Sequence, residues 1–134
     1  MKDDLARFLT LRAGDRCEYC RFPATAAWLP FQVDHIIAEK HGGTTVEANL
    51  ALACYYCNSF KGPNIAGVDP EGPPDLAIQL FHPRKDVWSE HFVYRGPVLI
   101  GLTAIGRATV STLRINDHES IEVRRLLLEA GFEL

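Results

Sequence analysis

The sequence predicts a mixed α+β fold built around one core, and three observations carry that expectation. Apolar residues recur at helical spacing near the N-terminus, where Leu5, Phe8 and Leu9 share one face. Two short apolar segments, 26–33 and 50–53, flank a polar loop and lead into a short helical stretch. Further on, HFVYR and VLIGL lie either side of Gly96-Pro97 and read as a hairpin, followed by two helical stretches. A chain of 134 residues suits a single domain with a modest core.

Each element has a local reason. Residues 3–13 form the first helix, with Asp3 or Asp4 able to cap it and Gly14 ending it. Residues 26–33 (AAWLPFQV) are expected to be extended, with Pro30 marking an edge strand or a bulge. Residues 38–48 are a polar loop around Gly42-Gly43, and 50–53 a second short strand. Residues 54–61 form a short helix stopped by Gly62-Pro63. DPEGPPD, at 69–75, is the best candidate boundary along the chain. Beyond it, Thr103 caps a helix to about Leu113, and Asn116 or Asp117 caps a last one ending before Gly131.

Composition sets limits on function. Hydrophobic residues make up 47% of the chain and charged ones 23%, a globular balance. No apolar run approaches the roughly 20 residues of a membrane helix, and the charged N-terminus lacks the apolar stretch of a signal peptide, so a cytoplasmic protein is expected. The net charge of −3 is not that of a protein that coats nucleic acid non-specifically. Ten of the 14 basic residues are arginine, however, which suits phosphate recognition on a local face; Arg84, Lys85, Arg95 and Arg107 are candidates.

Four cysteines need a reason in a reducing compartment. Cys17/Cys20 and Cys54/Cys57 form two Cys-x-x-Cys pairs separated by 33 residues. Each pair is a chelating knuckle, and two knuckles close a tetrahedral thiolate shell around zinc. A closed shell leaves no open position, so this zinc is expected to be structural. Redox chemistry would call for a thioredoxin-like context that neither pair has.

A second polar group lies inside that clamp. Asp34 and His35 end the first apolar segment, Asn49 precedes the second, and Asn58 follows the last cysteine directly. A carboxylate and an amide oxygen are hard donors suited to magnesium or manganese. An imidazole beside such a metal suits a general base, being neutral near pH 7 when unperturbed. Lys61, one turn beyond Asn58, is placed to reach phosphate.

C-E-Y-C, D-H-I-I, H-G-G, N-L and C-x-x-C-N-x-x-K-G, in this order, resemble the HNH endonuclease family, whose fold is the ββα-metal or His-Me finger. The resemblance covers Cys17 to Gly62; FHPRKDVWSEHF and GLTAIGRATV more loosely resemble the C-terminal extension of small bacterial members. It implies a single HNH domain over 1–134, with its motif core at 17–62 and an extension at 76–134. It further implies that His35 activates water, that Asp34 and Asn58 hold one divalent metal, and that Asn49 orients the catalytic loop or its histidine. The four cysteines would hold structural zinc. The implied activity is metal-dependent hydrolysis of phosphodiester bonds in nucleic acid, DNA before RNA, giving 5′-phosphate and 3′-hydroxyl ends. Asn58 departs from the frequent histidine at the third motif position, and this favours magnesium or manganese over nickel or zinc. The rival expectation is a non-catalytic, zinc-ribbon-like module that binds nucleic acid or protein. For the catalytic reading, a break in the strand at 34–36 is expected, because neighbours on a regular strand point to opposite faces.

Overall fold

The computed structural model describes residues 2–134. Its elements run α1 (Lys2–Arg12), β1 (Gln32–His35), β2 (Leu50–Ala53), α2 (Tyr55–Lys61), β3 (Ala66–Val68), β4 (Ala77–Gln79), α3 (Trp88–His91), β5 (Phe92–Arg95), β6 (Val98–Gly101), α4 (Ala104–Thr112) and α5 (His118–Glu129). The strands form three antiparallel pairs, β1 with β2, β3 with β4 and β5 with β6. This is a mixed α/β architecture whose first pair is followed directly by α2, the ββα order expected of the motif core.

The β1–β2 ladder runs in plain register from Gln32 opposite Ala53 to His35 opposite Leu50. All four residues of β2 are buried, so the strand reads as a continuous apolar run. Its free edge is closed by residues 12 and 18 rather than by another strand, Glu18 N–H donating to Leu52 O. The Glu18 carboxylate accepts from Leu52 N, and Arg12 of α1 donates to Leu50 O and Glu47 O.

One core joins both halves of the chain. Tyr19 from between the first cysteines packs edge-on against Phe81, which in turn meets Phe92 at a ring-centroid distance of 5.3 Å. Trp88 stacks at a tilt on Phe92 and Tyr94 and donates its indole N–H to Tyr19 O. Tyr94 donates its hydroxyl to Cys20 O. The C-terminal hairpin and its aromatics thus brace the first cysteine pair.

Several expectations need correction. Residues 26–31 are not a strand: a short 3₁₀ turn covers Ala24–Ala26, and pairing starts only at Gln32. Two residues earlier Pro30 offers no N–H, so the ladder cannot run further back through it. The stretch 69–75 is not a boundary but the connection between β3 and β4. Asp69 is 5% exposed and accepts two bonds from Arg107 of α4, which ties the loop to the C-terminal half. No described helix is long and apolar enough to cross a membrane.

Candidate functional site

The two cysteine pairs meet as their spacing requires. All four thiols are free and buried, and their sulfurs lie within 4.8 Å of one another. Cys20 Sγ and Cys54 Sγ are 3.8 Å apart, close to the roughly 3.8 Å edge of a tetrahedron with 2.3 Å zinc–sulfur bonds. In each pair the second cysteine's N–H donates to the first cysteine's sulfur, 3.4 Å away. Cys54 is also the N-cap of α2. Hydrogen bonds to Cys17, Cys20 and Cys57 hold the Cys54 thiol far below the ordinary range. Hydrogen bonding among the same sulfurs, Cys17 first, pushes Cys20 and Cys57 up. Such a cluster ionises fully only around a cation. Four convergent soft donors, with no fifth ligand among the described residues, fit structural zinc.

The strand carrying Asp34 and His35 breaks only at the end of the expected stretch 34–36, after both residues. Both residues sit in the regular ladder, and the chain bends at Ile36-Ile37. Their side chains therefore leave opposite faces. Asp34 points inward and is 3% exposed; His35 stands at the exit, its side chain 26% exposed. His35 Nε2 lies 2.9 Å from Thr45 Oγ1 and 3.7 Å from Glu39 Oε1. Its other ring nitrogen makes no hydrogen bond to a described residue.

Both oxygens of Asp34 are engaged. Tyr19 donates its hydroxyl to Oδ2 at 2.6 Å, and Lys61 donates its ammonium to Oδ1 at 3.1 Å. Burial raises the Asp34 pKa, opposed first by the Lys61 charge and then by the two hydrogen bonds. Lys61 does not face solvent as its expected reach to phosphate assumed. It is 1% exposed, and its other bonds run to the carbonyls of His35 and Ile36, each at 3.1 Å.

Asn58 sits on α2 three residues before Lys61, on the same helix face. It is partly exposed, and its amide makes no hydrogen bond to a described residue. Asp34 and Asn58 are hard oxygen donors, and Asp34 already carries a cationic group, so the pair suits a divalent ion in charge and donor type. The Lys61 ammonium already occupies Oδ1.

Asn49 holds the loop between β1 and β2. Its Oδ1 accepts from Ile37 N, and its Nδ2 donates to Ile37 O and Thr44 O, all at 2.9 Å. Gly43 completes this staple, because a Cβ there would lie 1.7 Å from Ile37 O and 2.9 Å from Asn49 Nδ2. Gly42 turns the chain at φ 91°, a conformation that favours glycine. Sequence reading missed Tyr19 and Thr45. Tyr19 had a signal in its place between two ligands; Thr45 had none.

With this geometry in place, the comparison with known families gives a direct result. Residues 17–64 match the HNH endonuclease family. The HNH segment contains both knuckles, the β1–loop–β2 unit and α2. It points to nuclease-type activity or nucleic-acid binding. No curated protein and no solved structure matched the chain.

Of the expected phosphate face, Arg84 is turned toward Glu18 and Arg107 toward Asp69 and Glu71. Their charges are compensated within the chain and add little to that face.

Proposed function

We propose that the protein is a metal-dependent endonuclease that hydrolyses phosphodiester bonds, with DNA as its substrate. The observation that carries this reading is the placement, within the HNH segment, of a partly exposed imidazole at the end of β1 beside a buried, cation-bearing carboxylate on the same strand. An in-line displacement places the entering and leaving oxygens on opposite sides of phosphorus. β1 ends after His35 and the chain bends at Ile36-Ile37, so in this reading base and cation site both border the strand end where a phosphate would lie.

In this reading His35 takes a proton from the attacking water as the new phosphorus–oxygen bond forms. The bond to the 3′ oxygen breaks, leaving a 5′-phosphate, and the departing oxygen takes up a proton. Thr45 holds one ring nitrogen and so fixes the plane of the imidazole. Asn49 keeps the loop folded back beside it. Asp34 and Asn58 would hold magnesium or manganese, whose bound charge would offset that growing on the phosphate and leaving oxygen. Zinc on the four cysteines supports this arrangement without entering the reaction.

Supercoiled plasmid, incubated with zinc-loaded protein and magnesium, manganese or EDTA, tests the reading. Metal-dependent nicking is expected, reduced about 10²–10⁴-fold in folded His35→Ala. Equal cleavage by the variant would rule out His35 as the base.

One feature favours a second reading, a zinc-stabilised binding module. An apolar groove of about 530 Å³ runs beside the cysteine cluster, walled by Tyr55, Tyr56 and Phe60 of α2. Trp28 on its rim is 99% exposed. Failure to cleave either DNA or RNA with any metal would move the weight to this groove.

A further inference from the structure

We propose that Lys61 is a resident cation on Asp34 that a divalent ion must displace, so that metal binding and release of the Lys61 side chain are one event. The proposal rests on the endonuclease reading and adds to it a device that keeps the site closed until the metal arrives.

A lysine this deeply buried needs compensation, since such residues are almost never enclosed without a partner. Lys61 has one carboxylate, Asp34 Oδ1, and two backbone carbonyls, those of His35 and Ile36. These three bonds use all three of its N–H donors. Asp34 in turn has one other partner, the neutral hydroxyl of Tyr19. The cluster is thus balanced at one positive and one negative charge. A divalent ion on Asp34 would stand within a few ångströms of the ammonium, in surroundings that screen charge poorly. Two cations on one buried carboxylate would repel strongly, so one must leave.

The way out exists. Lys61 is the last residue of α2, and its flexible four-carbon stem lies on the same helix face as Asn58, which is partly exposed. Once released, the ammonium can turn along that face toward the solvent side, where a phosphate would lie. Its departure also frees the carbonyls of His35 and Ile36, at the residue that carries the imidazole and the one after it. The same exchange therefore loosens the strand exit as the metal binds.

Reductive methylation of zinc-loaded wild-type protein, read by peptide mass spectrometry, tests the exchange without relying on catalysis. Lys40, exposed in the loop, is the internal reference. Lys61 should be protected in EDTA-free buffer lacking divalent ions other than the bound zinc. Saturating manganese should speed its labelling about tenfold or more, against an unchanged Lys40, as a buried pair opens. Manganese bound to saturation, as followed by its electron paramagnetic resonance signal, with Lys61 still protected would overturn the proposal. In parallel, Lys61→Met should bind manganese about tenfold or more tightly once the competing cation is gone. Unchanged or weaker binding in a folded variant would count against exchange, and if the variant does not fold the wild-type labelling decides. Nicking that depends on manganese and His35 while Lys61 stays protected would leave the endonuclease standing and remove the exchange. Absence of both manganese binding and nicking would remove the two together.

Discussion

Two polar centres lie within the HNH segment, and they are built in opposite ways. The cysteine cluster gathers four like ligands from two local knuckles, with their sulfurs within 4.8 Å of one another and nothing cationic among them. The Asp34 centre gathers unlike groups from distant parts of the chain and fills its own cation position with Lys61. The first centre can be completed only from outside the chain, whereas the second is balanced by its own residues. A centre of the first kind makes folding depend on an ion. A centre of the second kind lets the fold stand without an ion. The two are also joined: Tyr19 lies between Cys17 and Cys20, and Lys61 ends the helix that Cys54 caps, so each knuckle sends one side chain to Asp34.

The largest expected effect comes from breaking the first centre. Stripping zinc with a strong chelator, or replacing Cys54 by serine, should unfold the segment 17–62 and carry the rest of the core with it. Structural zinc sites contribute on the order of 10 kcal/mol or more in apparent binding free energy, comparable to the whole stability of a domain this size. Circular dichroism with metal analysis should show one zinc per chain and loss of the thermal transition on removal. A cooperative melt that survives in zinc-free protein would show that Leu50–Ala53 and the aromatics around Phe92 suffice without the ion.

A smaller effect should follow from cutting the loop staple, which folds the loop back beside His35 without touching either centre. Asn49→Ala removes three hydrogen bonds and should cost about 1–3 kcal/mol. Gly43→Ala should cost a similar amount, because its methyl would meet Ile37 O. Both variants should retain zinc, lose hydrogen-exchange protection at Ile37 N–H, and lose nicking activity by more than they lose stability. Equal protection in variant and wild type would show that the loop does not need the staple.

How much of this was legible depends on the distance over which each feature is determined. The cysteine pairs, the cap of α2 at Cys54 and the Thr103 cap of α4 are local, and the sequence announces them. The turn at Gly96-Pro97 is equally local. The β3–β4 pair was not visible: each strand is three residues, one holds Gly67, and the connecting loop is rich in proline. Packing on α4 selects it, since a Cβ at Gly67 would lie 2.0 Å from Thr112 Oγ1. The bonds to Asp34 span 15 and 27 residues, and nothing near Lys61 in the sequence marks it as buried. The break expected at 34–36 falls at the edge of that stretch: β1 ends at His35 and the bend begins at Ile36, so Asp34 and His35 stay in the ladder.

The smallest expected effect sharpens the comparison from outside both centres. His82 is 6% exposed, and its Nδ1 accepts from the backbone N–H groups of Arg84 and Lys85, each at 3.2 Å. Desolvation lowers its pKa, helped by the Lys85 charge and opposed by Asp86, with Lys61 adding a further lowering influence. A histidine whose folded pKa lies below the unfolded value of about 6.5 binds fewer protons folded than unfolded in that interval. Its contribution to stability is therefore full above about pH 6.5 and is lost as pH falls through the folded pKa. Urea midpoints measured from pH 7.5 down to 5.5 should decline in wild type and decline less in His82→Asn, whose amide oxygen can accept from the same N–H groups without titrating. Acid loss of zinc acts on both proteins alike, so the difference between the two slopes isolates His82. Identical slopes would show that the acid sensitivity arises elsewhere than at His82.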